Sequence, residues 1–159
     1  GQLPGLSASG LLQYRLGKTR ASDLLRLWCS HLLLNCIKPQ GVATQSRLLT
    51  EDGLTTLQAV AEPKALLGDL LAIYWQGLHQ AVPLLPKTSF AYAQAVLKGG
   101  RADPDKQAYN SWTTGYTVGE DADPYHRLLF AGSPLNEAFQ TVSLQVYQPI
   151  WDAMQGGNA

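Results

Sequence analysis

The chain has 159 residues, 45% of them hydrophobic and 15% charged, and its twelve basic residues are balanced by twelve acidic ones. That apolar content at that length supports one substantial core or two small ones and excludes global disorder. The apolar stretch from Leu24 to Leu34 is broken by Arg26, Ser30 and His31, short of the roughly 20 apolar residues that a membrane span needs, so no membrane contact is expected.

Gly1 to Gly10 reads as a linker or as the cut edge of a longer chain. Leu11 to Leu16 reads as a short strand, followed by a polar turn, Gly17 to Arg20, and by Ser22 as the cap of a helix running to about Ile37. The apolar positions of that helix, Leu24, Leu25, Leu27, Trp28, Leu32 and Leu34, lie on more than one side, and Pro39 and Gly41 end it. Cys29 and Cys36 sit about 10 Å apart in rise along it, too far for a disulfide, which fits a reducing cytoplasm.

Val42 to Thr50 and Leu54 to Ala61 are extended runs joined by Glu51-Asp52-Gly53, and an Asp-Gly pair between such runs signals an antiparallel hairpin. Pro63 then opens a helix through Leu66, Leu67, Leu70, Leu71, Tyr74, Trp75 and Leu78 that ends near Val82-Pro83. Beyond it the chain offers only helices. Thr88 or Ser89 caps one that Gly99-Gly100 stops, and Asp103-Pro104, Asp123-Pro124 and Ser133-Pro134 each pair a capping side chain with a proline at the first helical position. The last helix should run from Pro134 to about Met154.

Residues 1–50 hold Arg15, Lys18, Arg20, Arg26, Lys38 and Arg47 against one acid, Asp23, so the charge is polarised along the chain. Such a segment is a candidate phosphate-facing surface or a solvated face. Trp28, Tyr74, Trp75 and Trp151 have the periodicity of core residues, whereas Trp112 lies in a Ser/Thr/Gly-bounded segment and is the expected exposed aromatic, as a base-stacking platform or a subunit contact. Glu120, Asp121, Asp123 and His126 are dense enough for a cation site, but Asp123-Pro124 reads as a helix cap with the other acids favouring the helix start. His31, His79 and His126 lie on separate elements without ligand spacing.

Three segments, GKTRASDLLRLWCSHLLLNC (17–36), LLAIYWQGLHQAVPLLPKTSFA (70–91) and GEDADPYHRLLF (119–130), are similar, in that order, to the RecC subunit of exodeoxyribonuclease V. The resemblance implies an α/β (α+β) fold: a degenerate PD-(D/E)xK nuclease-like sheet with helices over residues 1–86, then a small helical bundle over 87–159. It implies a non-catalytic structural and DNA-guiding role in processing double-strand breaks, with RecB-like and RecD-like subunits and single-stranded DNA as partners and no cofactor. Lys18, Arg20, Arg47 and Trp112 become the candidate DNA contacts.

An active member of that superfamily places an Asp on one strand and a Glu/Asp-x-Lys on the next to hold a metal. The strand Val42 to Thr50 has no acid, and Leu54 to Ala61 offers only Thr, Gln and apolar side chains. Glu62-Pro63-Lys64 spells the motif beyond the second strand, but Asp52 and Glu62 stand at opposite ends of that strand, about 25 to 30 Å apart at ~3.3 Å per residue. No catalytic or metal-ligating residue is therefore expected. The alternatives are a metal-dependent nuclease displaced to Glu62/Lys64 and a helical interaction module unrelated to DNA.

Overall fold

The computed structural model describes residues 3–156; Gly1 and Gln2, at the start of the segment read as a linker, lie outside them. Two compact units result. The first runs to Leu71 and takes up the chain again from Pro149, and the second is Ala72–Gln148.

In the first unit, β1 (Leu6–Ser7), β2 (Gly10–Tyr14), β3 (Ser46–Thr50) and β4 (Gly53–Leu57) form one mixed sheet in that order. The pairs β1/β2 and β3/β4 are antiparallel, and β2/β3 is parallel. Parallel neighbours need a long crossover, which α1 (Ala21–Ile37) supplies. The fold is mixed α/β, as expected. The segment read as a linker contributes β1, a strand too short for periodicity to reveal.

Alternation sorts the sheet into two faces. Leu11, Ser46, Leu48 and Leu57 are buried, on the face where α1 packs Leu24, Leu27, Trp28, Leu32 and Leu34. Leu12, Tyr14, Leu49 and Leu54 lie on the other face and are exposed. Burying a large apolar side chain is worth about 1.5–3 kcal/mol, so α1 is held mainly by this packing. Its N-cap is Arg20 rather than Ser22, because the Arg20 amide donates to the Asp23 carboxylate (3.1 Å). It stops at Lys38, whose left-handed backbone (φ 46°) lets its amide bond the Leu34 carbonyl.

The hairpin forms with Thr50 opposite Gly53, whose φ of +116° is the freedom that the Asp-Gly pair provides. Its strands are shorter than the extended runs because the ladder closes only over 46–50 and 53–57. α2 (Pro63–Gly77) starts at Pro63 as read, but ends at Gly77 rather than near Val82. Its apolar residues are only partly covered: Leu66, Leu67, Leu70 and Ile73 are half-buried. Leu71 and Leu78 are exposed, and Tyr74 and Trp75 are each 65% exposed, so their periodicity marks a face that calls for a partner and not membership of this core.

The second unit is helical: α3 (Pro86–Lys98), α4 (Pro104–Trp112), α5 (Pro124–Leu129) and the first part of α6 (Glu137–Gln155). Asp103 and Asp123 cap α4 and α5 as expected. α6 begins three residues after Pro134: the Ser133 hydroxyl accepts the Leu135 amide (3.4 Å) ahead of the helix, and Asn136 caps the helix itself by accepting the Phe139 amide (3.0 Å). Leu85, Tyr92, Ala108, Trp112 and Phe139 make its core. Among the described residues no helix is long and apolar enough to cross a membrane.

The start of α3 is capped from far along the chain. The Glu120 carboxylate accepts the amides of Lys87 (3.1 Å) and Thr88 (2.7 Å), and Tyr147 donates its hydroxyl to the Pro86 carbonyl (2.9 Å). Burial first, and the Glu120 charge second, raise the Tyr147 phenol above its ordinary pKa. Glu120→Ala should therefore cost about 1–2 kcal/mol, as losing an N-cap does, in a urea melt followed by circular dichroism. A change below the melt's error would show that water caps α3 equally well.

Candidate nucleic-acid interface

The four candidate DNA contacts do not form one patch. Lys18 and Arg20 are exposed on the loop between β2 and α1, which is tied to the β3–β4 turn. The Glu51 amide donates to the Gly17 carbonyl (3.1 Å), the Thr19 amide to the Asp52 carboxylate (2.7 Å), and the hydroxyls of Thr19 and Thr50 meet at 2.8 Å. Arg15 pairs with Asp23 (3.4 Å) at the same end of the sheet. The charge polarised along the chain is thus not polarised in space, because folding brings Glu51 and Asp52 beside the basic loop.

Arg47 lies elsewhere, half-buried on the open sheet face between Leu12 and Thr56 in register, with no ion pair among the described residues. It borders a groove of about 610 Å³ shared with Gln45, Leu54, Thr56, Gln58 and Met154.

Trp112 is the correction. It is 8% exposed, inside the helical core, with its ring 6.0 Å from that of His126. The polar residues around it encouraged the opposite expectation, but they bond to one another. Asp121 accepts the amide and hydroxyl of Thr114, which lowers its carboxyl pKa, and the Gly119 amide donates to the Thr114 hydroxyl. Gly119 is required there, since a β-carbon would stand 2.1 Å from the Trp112 carbonyl oxygen. The loop so closed packs against the backbone at the end of α4, while the indole itself lies in the helical core. The acidic cluster is likewise divided: Glu120 caps α3, Asp121 holds Thr114, Asp123 caps α5, and His126 bonds the Glu120 carbonyl (2.8 Å).

Two further constellations matter for chemistry. His31 is 0% exposed; its Nε2 donates to the Gln58 carbonyl (3.0 Å), so Nδ1 accepts from the Ser46 hydroxyl (2.9 Å). Asn35 adds bonds to the Thr44 carbonyl and from the Val60 amide. A Ser–His pair has the makings of a nucleophile and base, yet Ser46 is fully buried and no substrate reaches it; the network brackets α1 to β3 and to the chain after β4. Burial, partly opposed by the Gln58 bond, lowers the imidazole pKa to about 4.

The second constellation was not singled out in the sequence. The β1/β2 hairpin is another antiparallel pair, and its second strand runs into Gln13-Tyr14-Arg15, the Glu/Asp-x-Lys spacing with an amide where a carboxylate would stand. Gln13 donates to Ser30 (3.3 Å) and Arg15 pairs with Asp23, so both point at α1. Asp52 is in the β3–β4 turn and Glu62 follows the end of β4, just before α2. Among the described residues no group of three or more His, Cys, Asp or Glu is placed to hold a metal.

No curated protein matches the chain. The sequence model of the RecC C-terminal domain matches residues 1–97, which span the whole sheet, α1, α2 and most of α3. With more than half of its length matched, and with a mixed sheet where the resemblance called for one, the chain belongs to the RecC C-terminal domain family.

Proposed function

We propose that the chain is a non-catalytic structural and DNA-guiding part of a RecC-related subunit, working with RecB-like and RecD-like partners in the cytoplasm on DNA double-strand breaks. Family membership puts it in a DNA-repair subunit. The observation that carries the non-catalytic reading is that two carboxylates at the loop end of the sheet are committed, Asp23 to Arg15 and the Arg20 amide and Asp52 to the Thr19 amide, which leaves no converging pair of acids for a metal among the described residues. Gln13 and Arg15, at the motif spacing, supply no carboxylate. In this reading residues 1–86 carry the nuclease-like part and 87–159 the helical part. The uncovered apolar part of α2, with Leu71, Tyr74 and Trp75, and Leu78 just past its end support a place inside a larger assembly.

Lys18 and Arg20 are the pair proposed to face the DNA backbone. The double variant Lys18→Glu, Arg20→Glu should weaken single-stranded DNA binding by the assembled complex several-fold at low salt, and reduce the slope of log affinity against log salt, while leaving the melt of the chain nearly unchanged. An unchanged slope removes DNA guidance from this loop. For the Glu62/Lys64 alternative the discriminating measurement is calorimetric titration with manganese: heat abolished by Glu62→Gln would establish a metal centre and end the non-catalytic reading.

A further inference from the structure

The open edge of β4 is built to receive another strand. The Leu11 and Arg15 amides bond the carbonyls of Gln45 and Leu49, so the odd-numbered residues of β3 turn their backbone groups toward β2. The even-numbered ones, Ser46, Leu48 and Thr50, therefore face β4 and pair with Leu57, Thr55 and Gly53. That leaves the amides and carbonyls of Leu54 and Thr56 pointing away from the sheet, and no hydrogen bond to them is made among the described residues. The next outward amide, Gln58, is already taken by a backbone carbonyl from outside the sheet, that of Ala153 in α6 (2.9 Å). α6 thus closes one end of the edge and leaves a window two outward residues long.

Folded proteins usually blunt such an edge with charge, proline, a bulge or brevity. The opposite edge, β1, is only two residues long. β4 has five, Gly-Leu-Thr-Thr-Leu, without a charge or a proline, and beside it lies the groove bordered by Arg47, Leu54, Thr56 and Met154. We propose that this edge docks an extended segment of a partner protein, added as a fifth strand beside β4, with an acidic side chain reaching Arg47 across Thr56. Backbone bonds to Leu54 and Thr56 supply affinity and Arg47 supplies selectivity. The acid is what favours a partner over a second copy: β4 carries none, so a β4–β4 pairing would leave Arg47 without a counter-charge. The inference is independent of the DNA reading, which rests on Lys18 and Arg20.

The test uses the whole chain and an acetylated eight-residue peptide of alternating Thr and Val with one central Glu, followed by amide-resolved nuclear magnetic resonance. The Leu54 and Thr56 amides should exchange with solvent at least tenfold more slowly in millimolar peptide. Methylating every second peptide nitrogen should abolish the effect in one phase and spare it in the other. Arg47→Gln should weaken the Glu peptide about fivefold or more and leave its Gln counterpart unchanged. No added protection, or equal loss from methylation in both phases, overturns the proposal. Protection that grows with protein concentration alone assigns the edge to a second copy and also overturns it, as does protection of the same amides by oligothymidine in preference to the peptide.

Discussion

His31→Ala is expected to destabilise the sheet-bearing unit by about 3–5 kcal/mol, a large share of the roughly 5–15 kcal/mol by which domains are ordinarily stable. Three losses add. The substitution opens a cavity beside Trp28, whose ring stacks on the imidazole at 5.5 Å. It strands the Ser46 hydroxyl, and it strands the Gln58 carbonyl, each at about 1–3 kcal/mol. His31→Gln, which keeps some hydrogen-bonding capacity, should fall between wild type and Ala.

The same residue gives the unit a pH dependence of definite sign. The folded imidazole pKa of about 4 lies below its ordinary 6.5, so the unfolded chain binds more protons between those values. The contribution is fully present above pH 6.5, declines as pH falls, and is gone below about pH 4; it is worth on the order of 3 kcal/mol. Urea melts at pH 7, 5.5 and 4 should show this fall in the wild type and a flatter profile in His31→Gln. Equal profiles would mean that other groups govern acid stability.

Trp112→Ala is expected to be comparably large in the helical unit, about 3–5 kcal/mol, since the indole packs in the core with Leu85, Ala108 and Phe139. Trp112→Phe should recover part of it. The two roles considered for this residue give opposite results. A stacking platform for unpaired bases would cost DNA affinity at little change in stability, whereas a core indole costs stability first. A melt unchanged by Trp112→Ala would return the residue to the surface.

Much of the architecture was legible locally. α1 follows from the apolar spacing of 21–37, the β3–β4 hairpin from Asp52-Gly53, and α4 and α5 from the Asp-Pro pairs, because capping and turn geometry involve residues adjacent in sequence. The family was legible in three short segments, and the region matched by the family model contains the first two in full, the third lying beyond it. β1 was not legible, as two residues carry no period.

The site was less so, and the reason is distance along the chain. Composition assigns one acid to the first fifty residues; only the parallel pairing of β2 with β3 decides that Glu51 and Asp52, just past β3, come to lie beside Lys18 and Arg20, just past β2. Periodicity gives Trp75 and Trp28 the same signature, since both sit on an apolar helical face, but burial depends on what that face meets: α1 has a sheet, and α2 leaves Tyr74 and Trp75 open. Polar neighbours made Trp112 look exposed, but Thr114, Gly119 and Asp121 make their hydrogen bonds to each other and the indole is buried among Leu85, Ala108 and Phe139. The sequence by itself determined the order of the helices and of the main strands, and the family, because those depend on residues a few positions apart, while several boundaries shifted by two to five residues. Which charges meet, which aromatics are covered and which strand edge stays open depended on contacts tens of residues apart, which only the tertiary structure decides.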